Sequence, residues 1–302
     1  IALRRLGRES TSNMSEEEFA QYHKLVSRDM LQVEGDVPNS LYSEGETGQA
    51  HRANVVKDIL GKWEKTSFRG RFHCILAADT IHEAIEYYRL LKNNDKGLFV
   101  TAVFDPHTDN ADDDIFKDKG VEEILNHYNT HFNFKFTAGA YRRFKDDVCS
   151  RLAHREPYAN IDRRREEAVN IVIVVNQLLT GFDSKWINAL YLDKVIDYET
   201  FVQPASRTNR LNGYEKQYGI IKYCRKPYTM EKNALAALKL YTETGYQDVF
   251  APSLGQNIIR MNNDYRQICK LFEMNGIENF SRLPDSQNDI NLFVNLFNSI
   301  SR

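Results

Sequence analysis

Three residues carry the chemistry of the segment Gln203-Pro-Ala-Ser-Arg207-Thr-Asn-Arg210. On a helix, positions 203, 207 and 210 would be spaced i, i+4, i+7, so one amide and two guanidinium groups would project from one face. Such a face can clamp an anion. A guanidinium group is planar and permanently charged, binds phosphate oxygens in pairs, and offsets the charge that develops on a phosphoryl group in transfer. The alternative is a solvated basic face held by surface ion pairs. Pro204 complicates the geometry. Inside a helix it removes a hydrogen bond, and at the first position of one it would take Gln203 off the arginine face.

A second segment lies just upstream, Leu178-Leu179-Thr180-Gly181-Phe182-Asp183, directly after the apolar run Ile171 to Val175. A strand followed by Thr-Gly-x-Asp is expected at the carboxyl edge of a doubly wound sheet, where such folds bind ligands. Gly181 permits close backbone approach, Thr180 can donate to a phosphate, and Asp183 can hold nearby backbone or a ribose hydroxyl. An ordinary strand-to-loop turn with a capping Asp is the other reading.

The elements needed to position these residues follow from periodicity. Short apolar strands are predicted at Phe72 to Ala77, Phe99 to Phe104, Asn170 to Asn176, Asn188 to Leu192 and Tyr218 to Tyr223. Amphipathic helices alternate with them, the pattern of a parallel sheet with crossover helices. Thr80 to Lys92 is predicted helical on its stripe of Ile81, Ile85, Tyr88 and Leu91, and His51 to Lys65 on Val55, Val56, Ile59, Leu60 and Trp63. Between the second and third strands lies a long insertion, with an acidic loop near Asp109 to Asp114 and helices near Val121 to Tyr128 and Ala138 to Ala153. Upstream, a helix is expected at Glu16 to Asp29 and a loop at Glu34 to Gln49. After Pro227 the strand pattern gives way to helices at Glu231 to Tyr241, Asn257 to Phe272 and Asp289 to Ile300. The expected fold is therefore α/β, in three parts: a connecting segment over 1–66, a parallel-sheet domain over 67–227, and a helical region over 228–302.

In order and spacing, the two chemical segments resemble motifs V and VI of superfamily 2 helicases and translocases. The wording LLTGFDS, then a strand ending LYLDK, then QPASRTNRL, is similar to the motor (R) subunit of type I restriction-modification enzymes. The run Thr101-Ala102-Val103-Phe104-Asp105-Pro106 also resembles that family's second RecA-like domain. The resemblance implies a RecA-like sheet in which Arg210, as arginine finger, and Arg207 face ATP and Mg2+ held by the preceding RecA-like domain. It implies that Gln203 couples its helix to the nucleotide or to motif V, that Thr180 and Gly181 touch the DNA backbone, and that Asp183 and Gly181 link the DNA to the ATP site. Its implied partners are double-stranded DNA and the methyltransferase and specificity subunits, with the helical region as docking surface. Another superfamily 2 helicase, or a helicase-like interaction module without motor activity, would share much of this pattern. A small-ligand doubly wound domain would carry a glycine-rich turn after the first strand, and Ala77-Ala78-Asp79-Thr80 has none.

Other features bound the reading. No GxxxxGK[ST] loop occurs in the 302 residues, the Gly61-Lys62 pair is followed by Trp63, and no convincing Asp with Glu-x-Lys nuclease arrangement is present, so this chain alone is expected neither to hydrolyse ATP nor to cut DNA. With Ile1 as first residue, it reads as the interior of a longer protein. The net charge of -2 confines any nucleic-acid contact to local patches. The longest apolar run is too short to span a bilayer, and four widely spaced cysteines fit free thiols in a reducing cytoplasm. Arg163 to Arg165 and Arg142, Arg143 and Lys145 read as solvated faces. His127 and His131 lack the surrounding carboxylates of a metal site.

Overall fold

The computed structural model describes residues 29–105, 114–161, 163–210, 212, 216, 218–241 and 254–301. The expected helix at Glu16 to Asp29 and most of the acidic loop lie outside them. Five strands form one sheet: β1 (His73–Ala78), β2 (Val100–Val103), β3 (Ile171–Val174), β4 (Ile187–Asp193) and β5 (Ile220–Tyr223), in the order β2-β3-β1-β4-β5. Every pairing is parallel, with Cys74 opposite Ile171 and Ala77 opposite Leu192. All residues of β1, β3 and β4 are buried, which is why these strands read as unbroken apolar runs rather than alternating ones. The architecture is the expected α/β, RecA-like one.

Among the described residues of the first compact unit, Ile1–Glu243, seven helices precede β5. They are α1 (Met30–Asp36), α2 (Ser40–Ser43), α3 (Gly45–Thr66), α4 (Ile81–Leu91), α5 (Asp114–Phe132), α6 (Tyr141–Leu152) and α7 (Tyr198–Ala205); an eighth, α8 (Pro227–Tyr241), follows β5. α4 starts where Thr80 caps it, its hydroxyl accepting from the Glu83 amide at 3.1 Å. The predicted stripe, Ile81, Ile85, Tyr88 and Leu91, is wholly in the core.

Two expectations need correction. The stretch Glu34 to Gln49 is not a loop but two short helices and the first turn of α3. Tertiary contact explains this. The buried Glu34 carboxylate accepts from the amides of Tyr228 and Thr229 at 2.9 and 2.7 Å, filling orphan donors in the first turn of α8, which opens at Pro227. The second concerns Pro204, which sits in the last turn of α7, so the helix starts well before it and stops just after it.

The insertion between β2 and β3 is built on aromatic packing. Tyr128 of α5 lies edge-on to Phe144 of α6, and the buried Arg151 guanidinium stands 3.7 Å over the Phe132 ring. His127 and His131 serve this packing, through a 2.9 Å contact to the Tyr88 hydroxyl and a stack on Phe99. The second unit, Thr244–Arg302, contains α9 (Leu254–Met274) and α10 (Gln287–Ser301), joined over Ile268, Phe272 and Ile277. Gly276, at φ +63°, turns the chain just beyond α9. No helix among the described residues is long and apolar enough to cross a membrane.

Candidate functional site

Leaving β3, the chain first stays at the sheet's carboxyl edge, where Lys194 donates to the Val175 carbonyl and to Asn176 Oδ1 at 2.8 Å. It then runs back without a helix. Ser184 donates to the Leu152 carbonyl at 2.7 Å, and the Trp186 carbonyl accepts from the amide of His73, the first residue of β1. Asp183 therefore stands near the amino edge, not at the carboxyl edge expected for the whole Thr-Gly-x-Asp turn. The reason is topological: β4 is parallel to β3, so the connection must return before β4 can begin. Gly181 has φ +70° with open space where a Cβ would stand, so it is required for its left-handed backbone rather than for close packing. Thr180 is exposed.

The arginine segment meets this turn. α7 ends at Ala205, and the amides of Arg207 and Thr208 bond to the carbonyls of Pro204 and Ala205, a tightened last turn. Arg207 and Arg210 thus lie beyond the helix, and the single helical face drawn through 203, 207 and 210 does not form. The missing Pro204 amide and the three-residue turn after it account for the change. Arg207 instead folds back, donating from Nε to the Gln203 carbonyl at 2.9 Å and from the guanidinium to the Phe182 carbonyl and to Ser206 Oγ. Arg210 Nε pairs with Asp183 at 2.8 Å, with the two side chains 59% and 51% exposed. The structure brings together residues 182, 183, 207 and 210, while the Gln203 side chain is exposed.

A second constellation escaped the sequence reading. At the carboxyl edge Arg225, 1% exposed, donates to Asp79 at 3.1 Å, Glu83 at 2.9 Å and Asp193 at 3.2 Å. Asp193 also accepts from Tyr87 at 2.7 Å and contacts His51 Nε2 at 2.6 Å. Burial pushes the Glu83 carboxyl above its ordinary range, opposed by the charge of Arg225. The available signal was positional. Asp79 follows β1, Asp193 ends β4 and Arg225 follows β5, and in a parallel sheet all strand ends share one edge.

Residues 70–226 match the family model for type I restriction enzyme subunit R domain 3. The chain is 29% identical over 203 residues to the type I restriction enzyme SauMRSORF196P endonuclease subunit of Staphylococcus aureus (strain MRSA252), covering 64% of this chain and 21% of that protein. It is 24% identical over 263 residues to the SsaAORF53P endonuclease subunit of Staphylococcus saprophyticus, covering 82% and 26%. A putative type I restriction enzyme MjaVIIP endonuclease subunit of Methanocaldococcus jannaschii is 24% identical over 143 residues, covering 46% and 13%. The chain spans about a quarter or less of the length of these curated relatives.

Proposed function

The chain belongs to the family of type I restriction enzyme subunit R domain 3, and from that membership we propose that it is the second RecA-like half of an ATP-dependent DNA translocase. In this reading the neighbouring RecA-like domain binds ATP and Mg2+, and this half supplies the guanidinium groups that complete the site. Arg210 is the arginine finger, Arg207 braces the turn that carries it and faces the same nucleotide, and Gln203 borders the site. Thr180 and Gly181 contact the DNA backbone, and Asp183 links that contact to Arg210. The complete protein would act with methyltransferase and specificity subunits on double-stranded DNA. This half alone would neither hydrolyse ATP nor cut DNA.

One observation carries the reading: Arg210 is held by Asp183 of the Thr-Gly-x-Asp turn in an exposed pair. Such pairs contribute only about 0 to 1 kcal/mol. Arg210 can therefore exchange the carboxylate for a phosphate oxygen when two domains close on ATP, at little cost. The exchange frees Asp183 and pulls on residues 180–183, which gives hydrolysis a path to the DNA grip.

The test is Arg210→Ala in the complete protein. An arginine finger contributes roughly 10^3- to 10^5-fold to turnover, so DNA-stimulated ATPase is expected to collapse while ATP binding persists. Unchanged ATPase and translocation would remove the proposal.

A further inference from the structure

The carboxyl-edge constellation opens onto a cleft of about 770 Å³. It lies where doubly wound sheets bind ligands. In the order β2-β3-β1-β4-β5, the crossover after β1 leads toward β2 and that after β4 toward β5, so the ends of β1 and β4 bound the switch-point crevice. Asp79 and Asp193 stand at those two ends. The opposite wall comes from α2 and the start of α3, through Ser43, Glu44, Gly45 and Arg52.

The charges do not balance. Three carboxylates, Asp79, Glu83 and Asp193, surround the single guanidinium of Arg225. The cleft lining itself carries four carboxylates, Glu44, Asp79, Glu83 and Glu86, against three cations, Arg52, Lys117 and Arg225. Arg52 is committed to the Ser43 carbonyl at 3.0 Å. Glu83 is 3% exposed, lines the cleft, and its Oε1 has no hydrogen-bond partner among the described residues. A buried carboxylate oxygen without a donor is costly, and a polar cleft beside it can hold the donor it lacks.

We propose that this cleft is a binding site for an organic cation, an alkylammonium or guanidinium group, whose N–H donors bond Glu83 Oε1. An alkylammonium or guanidinium group brings its own directional N–H donors. The cation is either a free small molecule or a lysine or arginine side chain delivered by another part of the complete subunit. The site is separate from Arg207 and Arg210 and does not rest on the arginine-finger reading.

The test uses the 302-residue chain with n-butylammonium or methylguanidinium chloride as probe and neutral methylurea as control, at matched ionic strength. Binding is read by saturation-transfer NMR. Saturable binding of at least one cation and none of methylurea is expected. Glu83→Gln should weaken it at least tenfold. Glu86→Gln, which removes a lining carboxylate outside the Arg225 network, should weaken it a few-fold and serves if the first variant fails to fold. Absence of saturable binding by both cations, equal binding of methylurea, or binding unchanged in both variants would overturn the proposal. Repeating the titration on the complete subunit separates the sources: retained binding identifies a free ligand, and binding lost there but present in the chain identifies a resident side chain.

Discussion

Asp183 and Arg210 meet at 2.8 Å although one belongs to the return from β3 and the other to the tail of α7. Both are about half exposed, so solvent screens the pair. Asp183→Ala is expected to change unfolding free energy by less than about 1 kcal/mol in chemical denaturation. In the complete protein the same change should alter the coupling of ATPase to DNA. A loss of several kcal/mol would instead make the pair a structural clasp.

Glu34 is a different kind of partner. Its buried carboxylate accepts from Tyr228 N, Thr229 N and Thr229 Oγ1, and so caps α8 from a distant part of the chain. Glu34→Ala leaves these part-buried donors without their acceptor, at up to about 1 to 3 kcal/mol. Denaturant midpoints should fall accordingly, with Glu34→Gln between wild type and alanine. Indistinguishable midpoints would show that water replaces the cap.

Arg151 holds the insertion together. It bonds Asp147 at 2.9 Å, the Glu167 carbonyl at 2.6 Å and the Tyr158 hydroxyl at 2.9 Å. Removing one partner of a buried pair costs about 3 to 5 kcal/mol, so Arg151→Met should strongly lower the melting temperature. Adding Asp147→Leu should recover part of the loss; no recovery would mean that the aromatic stacking, not the charge pair, dominates.

The imidazoles of His73 and His154 face each other at 2.8 Å, with His154 stacked on Trp186 at 3.9 Å. Burial holds His73 down to about 4, and burial, then the charges of His73 and Lys185, holds His154 low as well. Both are therefore neutral in the folded state, while the unfolded chain takes up protons below pH about 6.5. Stability should be flat at neutral pH and fall as the pH drops from about 6.5 toward 4, by about 1.4 kcal/mol per pH unit for each histidine. Urea midpoints between pH 7.5 and 5, with Trp186 fluorescence as one probe, check this. A midpoint independent of pH there would show that the pair does not titrate on unfolding.

The strands and most helices were legible because their cause is local. The apolar run at Ile171 and the stripe from Ile81 to Leu91 record in neighbouring residues which face is buried. The arginines at 207 and 210 stood out as candidates from residue type. Their geometry was not legible, because a helix that ends at Ala205 depends on how Pro204 and the following turn pack against the 182–183 backbone.

By itself, the sequence determined the parallel α/β plan and placed its strands to within about two residues at each end, and it marked the candidate phosphate-binding groups. Tertiary structure alone decided that Asp183 returns to the amino edge to meet Arg210, that Glu34 caps α8, and that Asp79, Asp193 and Arg225 converge beside the unpartnered oxygen of Glu83. Periodicity is written between near neighbours. The meeting of charges far apart in the chain is set by which strands pair and which way each crossover turns, and no local pattern carries that information.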